Sequence, residues 1–325
     1  MKVLATRICS SGVADANRLI GALRGRLRAL RPPALEGTQA IFDRLGFHLL
    51  PHHYYVPIPE QADLTESFWQ SESELVGVDT NEQGALELAE TLRPHIEELR
   101  AAVPLDETPG ARFHLLNSVF MAVDAHVYYG LVRHFQPETV IEVGAGWSTL
   151  VAVAANEANR AAGGKGAHLV AVDPFPSPVL ESVGGDVEIV PAKLQEVEVQ
   201  RFTTLRSGDV LFLDSTHVLR AGGDVQRAYC EIFPRLAPGV LVHVHDVSLP
   251  RPYPRSYFDN HLYWNEQYLL QAFLAFNSRF EVLWPANVMA VRHPDVVAEY
   301  FPELAAMRRV FPQSLPSSFW MRVRG

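Results

Sequence analysis

The chain has 325 residues, 48% of them hydrophobic and 20% charged, enough apolar material for one large core or two modest ones. Its formal charge of -9 argues against a nucleic-acid backbone as the main partner, because phosphate binding calls for a basic surface. Cys9 and Cys230 stand far apart in no metal-ligand spacing and read as free thiols of a reducing, cytoplasmic compartment.

No apolar run approaches the roughly 20 residues of a membrane helix, and Arg7 interrupts the start too early for a signal-peptide core. Residues 1–33 carry Lys2, Arg7, Arg18, Arg24, Arg26, Arg28 and Arg31 against Asp15 alone. Val13, Ala16, Leu19, Ile20, Leu23, Leu27 and Leu30 recur there at helical spacing, which predicts a basic amphipathic helix ended by Pro32-Pro33. Its apolar stripe is expected to pack on the chain itself or on a second copy, forming a homo-oligomer. An acidic membrane surface is the less favoured partner.

Residues 38–110 read as helices and loops, so 1–110 is expected to be a mainly helical extension and 111–325 the main domain. Prolines 51, 57 and 59 keep the aromatic segment around His52, His53, Tyr54 and Tyr55 out of regular helix, and that segment is a candidate lid. Amphipathic helices are expected over 85–102 and 113–135. Asp124 and Tyr128 share a face of the second, either reaching a ligand or bonding each other.

From Thr139 the pattern becomes alternating strand and helix. Apolar runs at 140–143, 169–173, 187–190, 209–214 and 239–244 read as five buried strands, with weaker ones at 280–283 and 318–323. Helices are expected from Ser148 to Arg160, near 225–233 and around 295–309. This order means βαβ units and a mostly parallel sheet, of the α/β class, covered on both faces.

In such sheets ligands bind beyond the carboxyl ends of the strands. The first strand runs into Glu142-Val143-Gly144-Ala145-Gly146-Trp147-Ser148-Thr149. Two glycines permit a sharp turn close to a ligand, and the helix opening at Ser148 offers free N–H groups. Thr149 occupies the third small-residue position of the dinucleotide fingerprint, which disfavours a pyrophosphate ligand. Asp173 ends the second strand, where a carboxylate can accept both ribose hydroxyls of an adenosine or simply cap a turn before Pro174.

These residues resemble motif I and the ribose-binding acid of class I S-adenosylmethionine-dependent methyltransferases. The stretches 142–149, 212–217, 244–247 and 264–268 together resemble a bacterial subfamily grouped with the sugar O-methyltransferases of macrolide biosynthesis. The resemblance runs from about Phe113 to about Leu283. It implies a Rossmann-like seven-stranded methyltransferase sheet and S-adenosylmethionine held by Glu142, Gly144, Gly146, Ser148 and Asp173. It also implies a small hydroxylated acceptor, with a sugar or glycosylated natural product as candidates.

Two strand ends carry reactive side chains, Asp214 with His217 after the fourth and His243, His245 and Asp246 at the fifth. The resemblance assigns Asp214 and Asp246 to a divalent metal and His217 to the general base. Where the relatives carry two adjacent acids, this chain has His245-Asp246. With His245 as a third ligand, manganese, iron, zinc or nickel is favoured over magnesium, which prefers oxygen donors; otherwise His245 is not a ligand, or there is no metal. An alternative uses Asp214, His217 and His245 as an iron face in an enzyme that transfers no methyl group. His243 reads as a core histidine. Asn265 and Glu266 open a helix, serving either a substrate hydroxyl or only a helix cap. A non-catalytic scaffold is the third alternative, disfavoured because it has no use for so many buried polar groups in one cleft.

Overall fold

The computed structural model describes residues 41–48, 50 and 55–325. The expected basic helix, together with His52, His53 and Tyr54 of the candidate lid, lies outside the described residues. Chain contacts divide the protein into residues 1–60 and residues 61–325. In the first unit Tyr55 is exposed. The unit holding the sheet begins at Gln61, earlier than the expected boundary at 110. The reason is α1 (Glu82–Ala102), which buries Ala85, Ala89, Leu92, Ile96 and Leu99 at helical spacing. That stripe packs on α2 (Asp124–Phe135) and on the sheet edge.

The sheet has seven strands: β1 (Thr139–Val143), β2 (His168–Val172), β3 (Val187–Val190), β4 (Val210–Leu213), β5 (Leu241–Val244), β6 (Phe280–Pro285) and β7 (Phe319–Val323). Their order is β3-β2-β1-β4-β5-β7-β6. β1 to β5 pair in parallel, and β7 runs antiparallel between β5 and β6. This is the Rossmann-like, seven-stranded and mostly parallel sheet expected from the sequence. Alternation sets the two faces. Val140, Val210, Phe212 and Leu241 enter the core beneath α1, α2 and α3 (Trp147–Ala161). Ile141, Val143, Leu211, Leu213 and Val242 enter the core on the other side.

The expected helix over 113–135 begins only at Asp124. Asn117 accounts for this, because its side chain donates to the carbonyls of His114 and Phe120 and accepts from the N–H groups of Val119 and Phe120. A buried amide that satisfies four backbone groups outcompetes the helical ladder. The expected helix near 225–233 starts as α4 (Asp224–Arg227), widens into a π turn at Ala228–Ile232 and tightens again over Phe233–Arg235. Beyond β5, α5 spans Glu266–Leu274. The C-terminal helical stretch is three short pieces, α6 (Ala286–Arg292), α7 (Pro294–Tyr300) and α8 (Glu303–Val310).

Candidate functional site

Strand order reverses between β1 and β4, and the reactive residues gather at the carboxyl ends of those strands and of β5. Gly144 leaves β1 at φ +86°, and a Cβ there would stand 1.7 Å from the Asp214 carbonyl oxygen. Only glycine lets the two strand ends approach this closely. Gly146 follows with open space around it, the nearest atom to a Cβ being 3.8 Å away on Ser177. The first N–H groups of α3 then face the cleft.

Glu142 is buried beneath this turn. It accepts a hydrogen bond from the Tyr128 hydroxyl at 2.8 Å and a short one from Thr149. Burial raises its pKa to about 7, against these two hydrogen bonds and with the Asp214 charge adding to the rise. Ser148 is buried beside Glu142. Asp173 accepts from the Ala145 N–H at 2.9 Å through Oδ2 and from the Phe175 N–H at 2.7 Å through Oδ1. Each oxygen keeps a lone pair, so the carboxylate that shapes the turn can still accept from a diol. The glycine cradle, the helix N-terminus and this half-buried acid fit an adenosine with a methionine-like tail.

Asp214 and His217 follow β4, and Asp246 follows β5. His217 Nε2 lies 3.2 Å from Asp214 Oδ1 and 3.5 Å from Asp246 Oδ2. On its other side, His217 Nδ1 lies 3.0 Å from Glu266 Oε2 at the start of α5. Burial alone would lower the imidazole's pKa, but Asp214, Glu266 and Asp246 together hold it well above its ordinary value. Burial would raise Asp214, yet the His245 charge and the His217 hydrogen bond keep it below the usual carboxylate range. His217 and Asp246 both adopt left-handed backbone, at φ +57° and +54°.

Among the described residues, Asp214, His217 and Asp246 are the group whose ligand atoms lie within 4.8 Å of one another. Two carboxylates and an imidazole are a donor set that suits a divalent cation. His245 stands apart from them. Its ring packs against Phe120, and its Nε2 lies 3.5 Å from Ser317 Oγ. His243 is a core histidine, stacked on Phe212 and bonded to Ser318, with burial pushing its pKa well down.

Asp124 and Tyr128 do not bond each other. Asp124 accepts from the backbone N–H groups of Ser317 and Ser318, while Tyr128 serves Glu142. Asn265 makes no side-chain cap and accepts instead from the Leu219 N–H. Sequence reasoning missed Tyr257 and Ser317, each 3.4 Å from Asp246 Oδ1. No local motif marks them. Both line a cavity of about 250 Å³ that opens on Asp246. Its other polar walls come from Ser118, Asp124, Ser248, Ser256, Gln313 and Ser314, and among the described residues no cationic side chain lines it.

Residues 141–247 match the family model described as Methyltransferase domain. The matched stretch holds Gly144, Asp173, Asp214 and Asp246. A protein of Archaeoglobus fulgidus, itself described as uncharacterized, is 26% identical over 194 residues, 55% of this chain and 83% of that one. Among solved structures, the SAH-bound methyltransferase PaMTH1 of Podospora anserina is similar at 16% identity and a TM-score of 0.40, over 86% of this chain and all of that one (100%). The MycE methyltransferase of the mycinamycin biosynthetic pathway, in complex with Mg and SAH, is similar at 14% identity and a TM-score of 0.31, over 47% of this chain and 37% of that chain. Both likenesses are distant, and the fold rests on the strand order itself.

Proposed function

We propose that the protein transfers the methyl group of S-adenosylmethionine to a hydroxyl of a small polar metabolite, such as a sugar or a glycosylated natural product. The observation that carries this reading is the placement of His217 Nε2 between Asp214 and Asp246, beside the Gly144 turn. S-adenosylmethionine supplies a methyl group on a sulfonium, which leaves as a thioether when an oxygen attacks in line.

The Gly144–Gly146 turn, buttressed by Glu142 and Ser148, and the Asp173 carboxylate hold this cofactor. The acceptor occupies the cavity beside Asp246, where hydroxyl-bearing side chains match a polyhydroxylated molecule. Its walls carry carboxylates and no described cation, which favours an uncharged acceptor over an anionic one. His217 Nε2 takes the hydroxyl proton as the new C–O bond forms. A divalent cation held by Asp214 and Asp246, magnesium, manganese or iron, would lower the hydroxyl pKa, fix its oxygen and offset the carboxylate field that otherwise keeps His217 protonated. His245 reaches Asp246 through the Ser317 hydroxyl rather than as a ligand.

Among the described residues no helix is long and apolar enough to cross a membrane. A cytoplasmic setting, a small-molecule partner rather than nucleic acid, and self-association through the N-terminal helix complete the proposal. The iron-centred alternative lacks its second imidazole, since His245 lies outside the Asp214–His217–Asp246 group.

Calorimetry with S-adenosylhomocysteine, followed by an acceptor screen with labelled cofactor, tests the reading. Saturable binding and labelled product are expected, with turnover falling roughly 10² to 10⁴-fold in His217→Ala. Absence of cofactor binding, or full turnover in His217→Ala at neutral pH, would overturn the reading or its base respectively.

A further inference from the structure

We propose that Glu266 is the positioning residue of His217, fixing the imidazole so that Nε2 alone faces the reaction site. This inference rests on the methyl-transfer reading above for its catalytic consequence, though not for its geometry. Glu266 is 1% exposed. A carboxylate buried so completely is costly to fold unless a specific partner needs it. A helix cap does not explain it, because its side chain leaves α5 for His217 Nδ1, 49 positions away in the chain.

The same helix start holds the His217 backbone. The His217 carbonyl accepts from the Asn265 N–H at 3.0 Å and from the Glu266 N–H at 3.1 Å. The Asn265 side chain accepts from the Leu219 N–H at 2.6 Å. Four bonds thus tie one loop to one helix turn, and they fix His217 in left-handed backbone. The Trp264 ring, 4.4 Å from the imidazole centroid, limits its rotation. Behind Glu266 stands Tyr229, on the π turn, whose phenol is raised by burial first and by the Glu266 charge second. A π turn places an extra residue in the helix and so redirects the side chains it carries.

The arrangement commits Nδ1–H to Glu266. A second-sphere carboxylate of this kind sets which ring nitrogen bears the proton and which faces the chemistry. Without it the proton is free to move from Nδ1 to Nε2, where it would block the base role.

The test uses the full chain with S-adenosylhomocysteine and Mg²⁺, labelled with ¹⁵N-histidine. Wild type is expected to show a hydrogen-bonded Nδ1–H resonance that disappears in His217→Asn and shifts or vanishes in Glu266→Gln. In turnover, Glu266→Gln should lower kcat by roughly 10²-fold or more, as misorienting a catalytic histidine does. KM for S-adenosylmethionine should stay within a few fold, and Glu266→Asp should recover part of kcat. Wild-type kcat in Glu266→Gln, or an unchanged Nδ1–H signal, would overturn the proposal. If Glu266→Gln does not fold, Glu266→Asp carries both measurements, with a shifted Nδ1–H signal and a partial loss of kcat expected. If wild type transfers no methyl group to any acceptor, the functional reading fails while the resonance still decides the role of Glu266.

Discussion

The Gly144 Cα and the Asp214 carbonyl touch across the gap between β1 and β4, so closely that a Cβ would be 1.7 Å from the oxygen. Gly144→Ala should therefore destabilise the fold by about 3 kcal/mol or more and abolish binding of S-adenosylhomocysteine. Gly146→Ala has room for its methyl group and should melt near wild type while still weakening the cofactor. Thermal melts and calorimetry on the pair check both statements, and equal melting temperatures would show that the contact is not tight.

Asp173 accepts from the Ala145 and Phe175 N–H groups, and in the proposed function it also accepts from the cofactor's ribose. Asp173→Asn keeps an acceptor oxygen yet puts an amide where an N–H must be accepted. Cofactor affinity should fall by about 1.5–3 kcal/mol, the worth of hydrogen bonds to a charged group. Calorimetry with S-adenosylhomocysteine measures it directly. A Kd unchanged in Asp173→Asn would remove the ribose assignment.

Chelation separates the metal from the base. Dialysis against EDTA should abolish turnover, and Mg²⁺ or Mn²⁺ should restore it. Asp214→Asn should raise the metal concentration needed by at least roughly 10–100-fold, the loss typical even of an outer partner. Elemental analysis identifies which ion is retained. Activity indifferent to chelator would leave Asp214 and Asp246 as partners of His217 alone.

Two buried groups pull the pH dependence of stability in opposite directions. His126 is held down to about 4, first by burial and then by Arg100, against the Glu303 charge. Its folded pKa lies below the unfolded 6.5, so folding weakens as pH falls from 6.5 towards 4, by about 3 kcal/mol when complete. Glu142 is raised from 4.5 to about 7. Its contribution is present below 4.5 and is lost as pH rises through 7, by a similar amount. The wild-type profile between these limits should be flat in these two terms. Relative to wild type, His126→Leu should become more stable on acidification and Glu142→Gln more stable towards pH 7. Denaturant midpoints at pH 5 and 7 give the answer, and parallel shifts in wild type and variants would refute the assignment.

The sheet was readable because buried strands are short apolar runs, and β1 to β5 fall within a residue or two of those runs, although β3, at the sheet edge, leaves Glu188 and Ile189 exposed. The glycine turn beside Asp173 was readable because glycine pairs and a strand-end acid are local signals. The false start of the 113–135 helix had a local cause too, but Asn117 looks the same in sequence whether it caps a turn or faces solvent. The partner of His217 was not readable. Glu266 stands 49 positions away, and only the tertiary path of the chain brings its carboxylate to Nδ1. The same holds for Ser317 and Tyr257, which come to Asp246 from separate segments. His245 shows the converse, since adjacency to Asp246 in the chain did not put its ring among the clustered ligand atoms.

His217 and Asp246 sit in left-handed backbone, which histidine and aspartate tolerate but glycine and asparagine adopt more readily. A chain selected only for durability would drift to glycine or asparagine at both points, gaining roughly 1 kcal/mol at each. That gain would empty the cleft of its imidazole and one of its acids. Thermostabilising such a protein by choosing the residue each backbone angle favours would therefore produce a hardier molecule with its chemistry edited out. Any such redesign has to hold these two positions fixed and seek its gains elsewhere.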